Sequence, residues 1–115
     1  MKVVVIEAHV SEFPEPFFLK PGEQVTLGNM DDEFPNWVFV KTKSGQQGWA
    51  PTQYIERGSV ATEGILLQDY DNNELNTTVG ERLTVLFELN AWYRVTRGAG
   101  EKGWVPVNTV KTAPK

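Results

Sequence analysis

The segment Gly48-Trp49-Ala50-Pro51-Thr52-Gln53-Tyr54-Ile55 returns as Gly103-Trp104-Val105-Pro106-Val107-Asn108-Thr109-Val110, 55 residues later. The same spacing relates Asn36-Trp37-Val38-Phe39-Val40 to Ala91-Trp92-Tyr93-Arg94-Val95. Upstream, Leu19-Lys20-Pro21-Gly22-Glu23-Gln24-Val25-Thr26-Leu27 answers Thr77-Thr78-Val79-Gly80-Glu81-Arg82-Leu83-Thr84-Val85 at a spacing of 58, so the loop before Trp37 is three residues longer than the loop before Trp92. All 4 tryptophans fall into the pattern in matching order. A repeat of this length is one supersecondary unit used twice. The chain of 115 residues is therefore expected to hold two very small domains, at 1–57 and 62–113, rather than one of average size. Domains of that size are only marginally stable alone, so packing between the halves is expected to help.

Local periodicity gives the element type. Gln24-Val25-Thr26-Leu27, Trp37-Val38-Phe39-Val40, Arg82-Leu83-Thr84-Val85-Leu86-Phe87 and Trp92-Tyr93-Arg94-Val95 are short and rich in β-branched or aromatic residues. Several alternate with the period of two that a half-buried strand shows. Pro21-Gly22, Ser44-Gly45, Asp71-Asn72-Asn73 and Gly98-Ala99-Gly100 supply turn chemistry between them. No capped apolar stripe of helical period is present. The expectation is an all-β chain of two small antiparallel barrels, with Glu56–Thr62 as the junction.

Composition excludes several functions. With no cysteine there is no disulfide, thiolate metal site or cysteine nucleophile, and a single histidine cannot build the usual zinc site. The formal charge of −4 and the scatter of eleven basic residues disfavour nucleic acid and anionic membrane as partners. The opening Met1-Lys2-Val3-Val4-Val5-Ile6-Glu7 is too short an apolar run for a signal peptide, and no stretch approaches a membrane span. A cytoplasmic protein is the expectation.

The order of these motifs resembles the Src-homology-3 family, and the resemblance covers nearly the whole chain twice. The family runs Ala-Leu-Tyr-Asp-Tyr, an acidic loop, a Gly-Asp/Glu turn, a Trp strand, and Gly-Trp-x-Pro-x-Asn-Tyr-Val. Its opening motif falls on Val5-Ile6-Glu7-Ala8-His9 in the first repeat and on Leu66-Leu67-Gln68-Asp69-Tyr70 in the second. The resemblance implies Src-homology-3-like barrels in tandem, similar to the variant repeats found as pairs in bacterial proteins. It also implies a surface of aromatic ridges for a polyproline-II ligand. In the first repeat that surface would use Trp37, Pro51 and Tyr54, with Glu7 and His9 in place of the family tyrosines. In the second it would use Tyr70, Trp92 and Pro106, with Gln68 and Thr109 in place of two tyrosines. Each unit would then hold about half of a groove.

Competing readings remain open for each candidate. Trp37 and Trp92 either face a ligand, as binding-site tryptophans do, or fill the contact between units. Tyr54 and Tyr70 either contact a ligand or pack at a barrel edge. Pro51 and Pro106 preset the backbone of a short turn, with ligand contact secondary. Trp49 and Trp104 are read as mainly structural. Met30-Asp31-Asp32-Glu33 is a solvated loop, or a specificity element for a basic ligand residue. Phe17 and Leu19 are core, whereas Phe13 and Phe18 have no core position and either cover the other unit, the reading favoured, or wall a pocket beside Trp37 in place of the missing tyrosines. Ser11 and Glu7 lie near His9 in sequence, but spacing alone makes no catalytic triad. The expected function is a non-enzymatic peptide- or protein-binding module needing no cofactor, working as a monomer or weak dimer on a proline-rich or basic ligand. The alternatives are an assembly protein whose aromatic faces are consumed in packing, and a binder of cell-wall peptides.

Overall fold

The computed structural model describes residues 1–13 and 15–114. Twelve strands are formed: β1 Lys2–Val5, β2 Phe18–Leu19, β3 Gln24–Met30, β4 Trp37–Thr42, β5 Gln47–Pro51, β6 Ile55–Arg57, β7 Glu63–Leu66, β8 Tyr70–Asp71, β9 Arg82–Leu89, β10 Trp92–Arg97, β11 Glu101–Pro106 and β12 Val110–Thr112. Two single 3-10 turns, Thr52–Tyr54 and Val107–Thr109, each follow a proline held at φ −69° (Pro51) or −65° (Pro106). The expected strands are all present. Their alternation is what burial requires: in β3, Val25 and Leu27 are buried while Gln24 and Thr26 face water. Among the described residues no helix is long and apolar enough to cross a membrane.

The chain is all-β, with two five-stranded antiparallel sheets, in the orders β11-β10-β9-β1-β12 and β5-β4-β3-β7-β6, and a two-stranded pair, β2-β8. Closed barrels were expected, but both sheets are open. The last strands, β12 and β6, are three residues long, and each pairs along its length with one neighbour only. Among the described residues no ladder joins them to β11 or β5.

The chain divides into two compact units, but not at the junction that the repeat suggests. One unit is continuous, Glu15–Asn72; the other is split, Met1–Pro14 with Asn73–Lys115. Residues 58–62 link β6 to β7 inside the continuous unit. There Gly58 N–H donates to Glu63 O and Glu63 N–H to Val60 O, both at 2.9 Å. So short a link turns the chain straight back beside the strand it has just left. β7 accordingly pairs with β6 (Glu56↔Ile65) and with β3 (Val25↔Gly64). The segment read as the junction instead ends β6 and forms a hairpin turn, and Asp71-Asn72-Asn73, expected as an ordinary turn, is where the chain leaves the continuous unit.

Each repeat thus lends its first strand to the other. In the split unit Val5 N–H donates to Glu81 O at 2.9 Å, Gly80 N–H to Val5 O at 2.9 Å, and Ile6 N–H to Thr109 O at 2.8 Å. The continuous unit makes the same three bonds with the second repeat's strand: Leu66 N–H to Glu23 O at 2.9 Å, Gly22 N–H to Leu66 O at 2.7 Å, and Leu67 N–H to Tyr54 O at 2.8 Å. Gly22 and Gly80 close these turns at φ +88° and +94°, a region closed to most side chains.

The core of the split unit is Val3, Val5, Leu75, Leu83, Val95, Val105 and Val110, with Val85 and Tyr93 packed against it. In the continuous unit Phe17, Leu19, Val25, Leu27, Val38, Val40, Ala50 and Leu66 are buried. Phe17 and Leu75 are repeat equivalents, and each lies against the glycine that precedes a repeat tryptophan. A Cβ on Gly48 would come within 3.0 Å of Phe17 Cε2, and one on Gly103 within 2.6 Å of Leu75. Glycine at these two positions is therefore a packing requirement.

Candidate functional site

In the continuous unit the β4–β5 register sets Trp37 opposite Pro51. Asn36, at φ +60°, turns the chain into β4, and its carbonyl accepts from Thr52 N–H at 2.9 Å at the head of the 3-10 turn. That turn delivers Tyr54, whose ring meets Tyr70 edge to face, 5.9 Å between centroids and 76° between planes. The Tyr70 hydroxyl donates to Trp49 O at 2.8 Å, and its ring packs against Phe17 at 6.1 Å. Tyr70 had been grouped with Trp92 and Pro106. Its strand, β8, pairs instead with β2 through Leu19↔Tyr70. Strand exchange thus collects four aromatic or proline candidates, Trp37, Pro51, Tyr54 and Tyr70, in one unit.

They are not equally open. Trp37 is only 4% exposed and Tyr70 6%, Pro51 is fully buried, and Tyr54 alone is half-buried. The expectation of Trp37 as an exposed ligand-facing ring is therefore corrected: its indole lies in the interior, opposite Pro51.

The split unit repeats this frame with different side chains. Trp92 stands opposite Pro106, and Ala91, at φ +69°, accepts from Val107 N–H at 3.0 Å. Thr109, in the place of Tyr54, is buried and donates its hydroxyl to Pro106 O at 2.8 Å. His9 takes the place of Tyr70. It bridges to Thr77 as Tyr70 pairs with Leu19, and its ring meets Trp92 edge to face at 5.6 Å and 82°. His9 Nε2 donates to Glu74 Oε1 at 2.8 Å, with the two side chains 21% and 15% exposed. Trp92 is half-buried and Pro106 buried. His9 was weighed as a replaced family tyrosine and beside Ser11 and Glu7 but given no ligand contact, and Glu74 was not singled out. The alignment of His9 with Tyr70 in the opening motif was the available signal for the histidine; nothing in the sequence pointed to Glu74.

Several other side chains resolve simply. Ser11 Oγ donates to Phe13 O at 3.0 Å rather than turning to His9, so that trio is not assembled. Trp104 is buried between Phe87, edge-on at 5.7 Å, and the Arg94 guanidinium at 5.3 Å; Trp49 meets Phe39 at 5.2 Å. Phe18, assigned to covering the other unit, is 71% exposed. Asp32 and Glu33 are exposed in the loop before Trp37, where Glu33 N–H caps onto Asp31 Oδ1 at 3.1 Å. Among the described residues no three His, Asp or Glu side chains are grouped to hold a metal ion.

Charge divides unevenly. The continuous unit carries nine acidic and four basic residues, net −5, and the remainder six and seven, net +1, matching the total of −4. The main ionic network lies in the split unit. Arg97 Nη1 donates to Glu81 Oε2 at 3.0 Å and to Asn76 O at 2.9 Å, and Arg97 Nε donates to Glu101 Oε1 at 2.6 Å. Glu81 also receives the Thr78 backbone N–H at 2.9 Å. That amide bond first, and Arg97 after it, hold the Glu81 carboxyl below its ordinary value against a partial desolvation.

Comparison with known families agrees in part. Residues 2–57 match the family model of the variant SH3 domain, a class of typically non-catalytic modules that bind peptides and proteins. The matched stretch follows the sequence repeat, from β1 to β6. It includes the strand lent to the split unit and stops short of β7, which completes the continuous one. Neither a curated protein nor a solved structure matches the chain.

Proposed function

We propose that this protein is a non-enzymatic peptide- or protein-binding module whose ligand contacts centre on Tyr54 in the continuous unit and on Trp92 in the split unit. Tyr70, Trp37, Pro51 and Pro106 hold those two rings in place. The observation that carries the reading is the recurrence of one frame in both units, a tryptophan facing a proline that opens a 3-10 turn, with a ring packed edge-on at Tyr54 and at Trp92. Each frame leaves one large ring half-buried. Such rings supply contact area at small entropic loss. The net charge of −5 on the continuous unit favours a basic or proline-rich segment as the ligand.

The burial of Trp37, Tyr70 and Pro51 leaves no open groove over them and favours a second reading, a structural or assembly protein. An amide NMR titration with proline-rich, basic and cell-wall-derived peptides separates the two. Binding predicts movement of the Trp92 indole signal and of Tyr54, with the Trp104 indole still, and loss of that movement in W92A and Y54A. If no indole or Tyr54 signal moves at millimolar peptide, binding is refuted and assembly stands.

A further inference from the structure

Strands β1 and β7 enter their units in equivalent register and through equivalent backbone bonds. They share one burial pattern, exposed, buried, half-buried, buried. Their backbone bonds to the neighbouring turns are the same in kind, at 2.7 to 2.9 Å. Backbone hydrogen bonding therefore cannot choose which strand enters which sheet. A side chain must choose.

The two strands differ most at one register position. Val3 pairs with Leu83 in the split unit, and Gly64 pairs with Val25, the repeat equivalent of Leu83, in the continuous unit. A Cβ on Gly64 would lie 2.7 Å from Ile55 Cγ2 and 3.0 and 3.2 Å from the two Leu27 methyls. No valine fits there without displacing both. In the split unit the repeat equivalents of Ile55 and Leu27 are Val110 and Val85, one methylene smaller each, and Val3 packs among them at 1% exposure. The larger strand residue meets the smaller floor, and the glycine meets the larger floor. In the opposite assignment Val3 would be forced onto Ile55 and Leu27, and Gly64 would leave a void beside Val85 and Val110. Overpacking and cavity penalties would then act together.

We propose that Val3 and Gly64 form a volume code that assigns β1 to the split unit and β7 to the continuous one. The consequence reaches the candidate site, because His9 and Tyr70 lie at the same distance downstream of the two coded positions. The code thereby sets Tyr70 against Tyr54 and His9 against Trp92.

The test uses the whole protein, which has no native cysteine. Thr26 pairs with Glu63 and Lys2 with Thr84, so T26C/E63C reports the present assignment and K2C/T26C the opposite one. With Val3 and Gly64 intact, oxidation should crosslink 26 to 63 and leave 2 and 26 apart. In V3G/G64V the ratio of the two crosslinks should move toward 2–26 by about tenfold or more, the scale that one overpacked methyl pair sets. If 26–63 remains the dominant crosslink in V3G/G64V, the code is not in these residues. Should that variant fail to fold, a coupling measurement decides. G64A should lower the melting temperature, and adding I55A should restore part of the loss, although I55A alone lowers it. Simply additive losses would overturn the proposal.

Discussion

Two glycines show how differently the same residue can act. A Cβ on Gly103 would meet Leu75 and Asn73 O at 2.6 Å, in the interior of the split unit, while one on Gly45 would meet nothing and only strain a φ of +90°. G103A should therefore destabilise by about 1–3 kcal/mol through overpacking. G45A should cost about 1 kcal/mol, from the left-handed backbone alone. Denaturant midpoints of the two variants check the order, and an equal loss would refute it. Asn72 is buried, and its Oδ1 accepts the Phe17 N–H at 2.7 Å, so N72A should leave that amide unpaired at about 1–3 kcal/mol. The Glu81 carboxyl, held below its ordinary value of 4.5 by the Thr78 amide and Arg97, favours the folded state while it is ionised. Its contribution is complete above the ordinary carboxylate range and is lost as pH falls through the lowered value. Denaturation midpoints should stay level near neutrality and decline on acidification, with a shallower decline in E81Q. An unchanged slope in E81Q would remove Glu81 from that account.

At the scale of elements, the short β6–β7 link folds back as a turn. Residues 58–62 return the chain antiparallel to β6, the arrangement in which Gly64 meets Ile55 and Leu27. The strand expected to open a second domain therefore finishes the first compact unit. It follows that a fragment of residues 15–72, which holds every strand of the β5-β4-β3-β7-β6 sheet and the β2-β8 pair, should give a dispersed amide spectrum on its own. Residues 1–57, the stretch that matches the variant SH3 model, should not, because they lack β7 and offer Val3 where Gly64 belongs. A folded 1–57 fragment would mean that β1 enters that sheet unaided. Residues 73–115 should stay unstructured until a peptide covering residues 1–13 supplies β1, whose Val3 and Val5 belong to the split-unit core.

For the whole molecule, charge and aromatic placement bear on the same ligand. With net −5 on the continuous unit, the affinity of a basic peptide should fall several-fold when ionic strength rises from about 0.01 M to about 0.15 M, as screening shortens from about 30 to about 8 Å. Affinity independent of salt would leave only the aromatic contacts. Strands β3, β4, β9 and β10, the short turns after Pro51 and Pro106, the core residues Phe17 and Leu19 and the tryptophan–proline pairs were legible in the sequence. Each is fixed by local alternation, by proline φ, or by a repeat that forces equal registers. The grouping of Tyr70 with Tyr54, the His9–Glu74 pair beside Trp92 and the burial of Trp37 were not legible. The sequence by itself determined an all-β chain built twice on one pattern, because period-two burial and turn chemistry act within a few residues. Only the tertiary structure decided which copy of the first strand completes which unit. Two strands with equal backbone bonds are told apart by the volume that faces them, and that volume is contributed by residues distant in the chain.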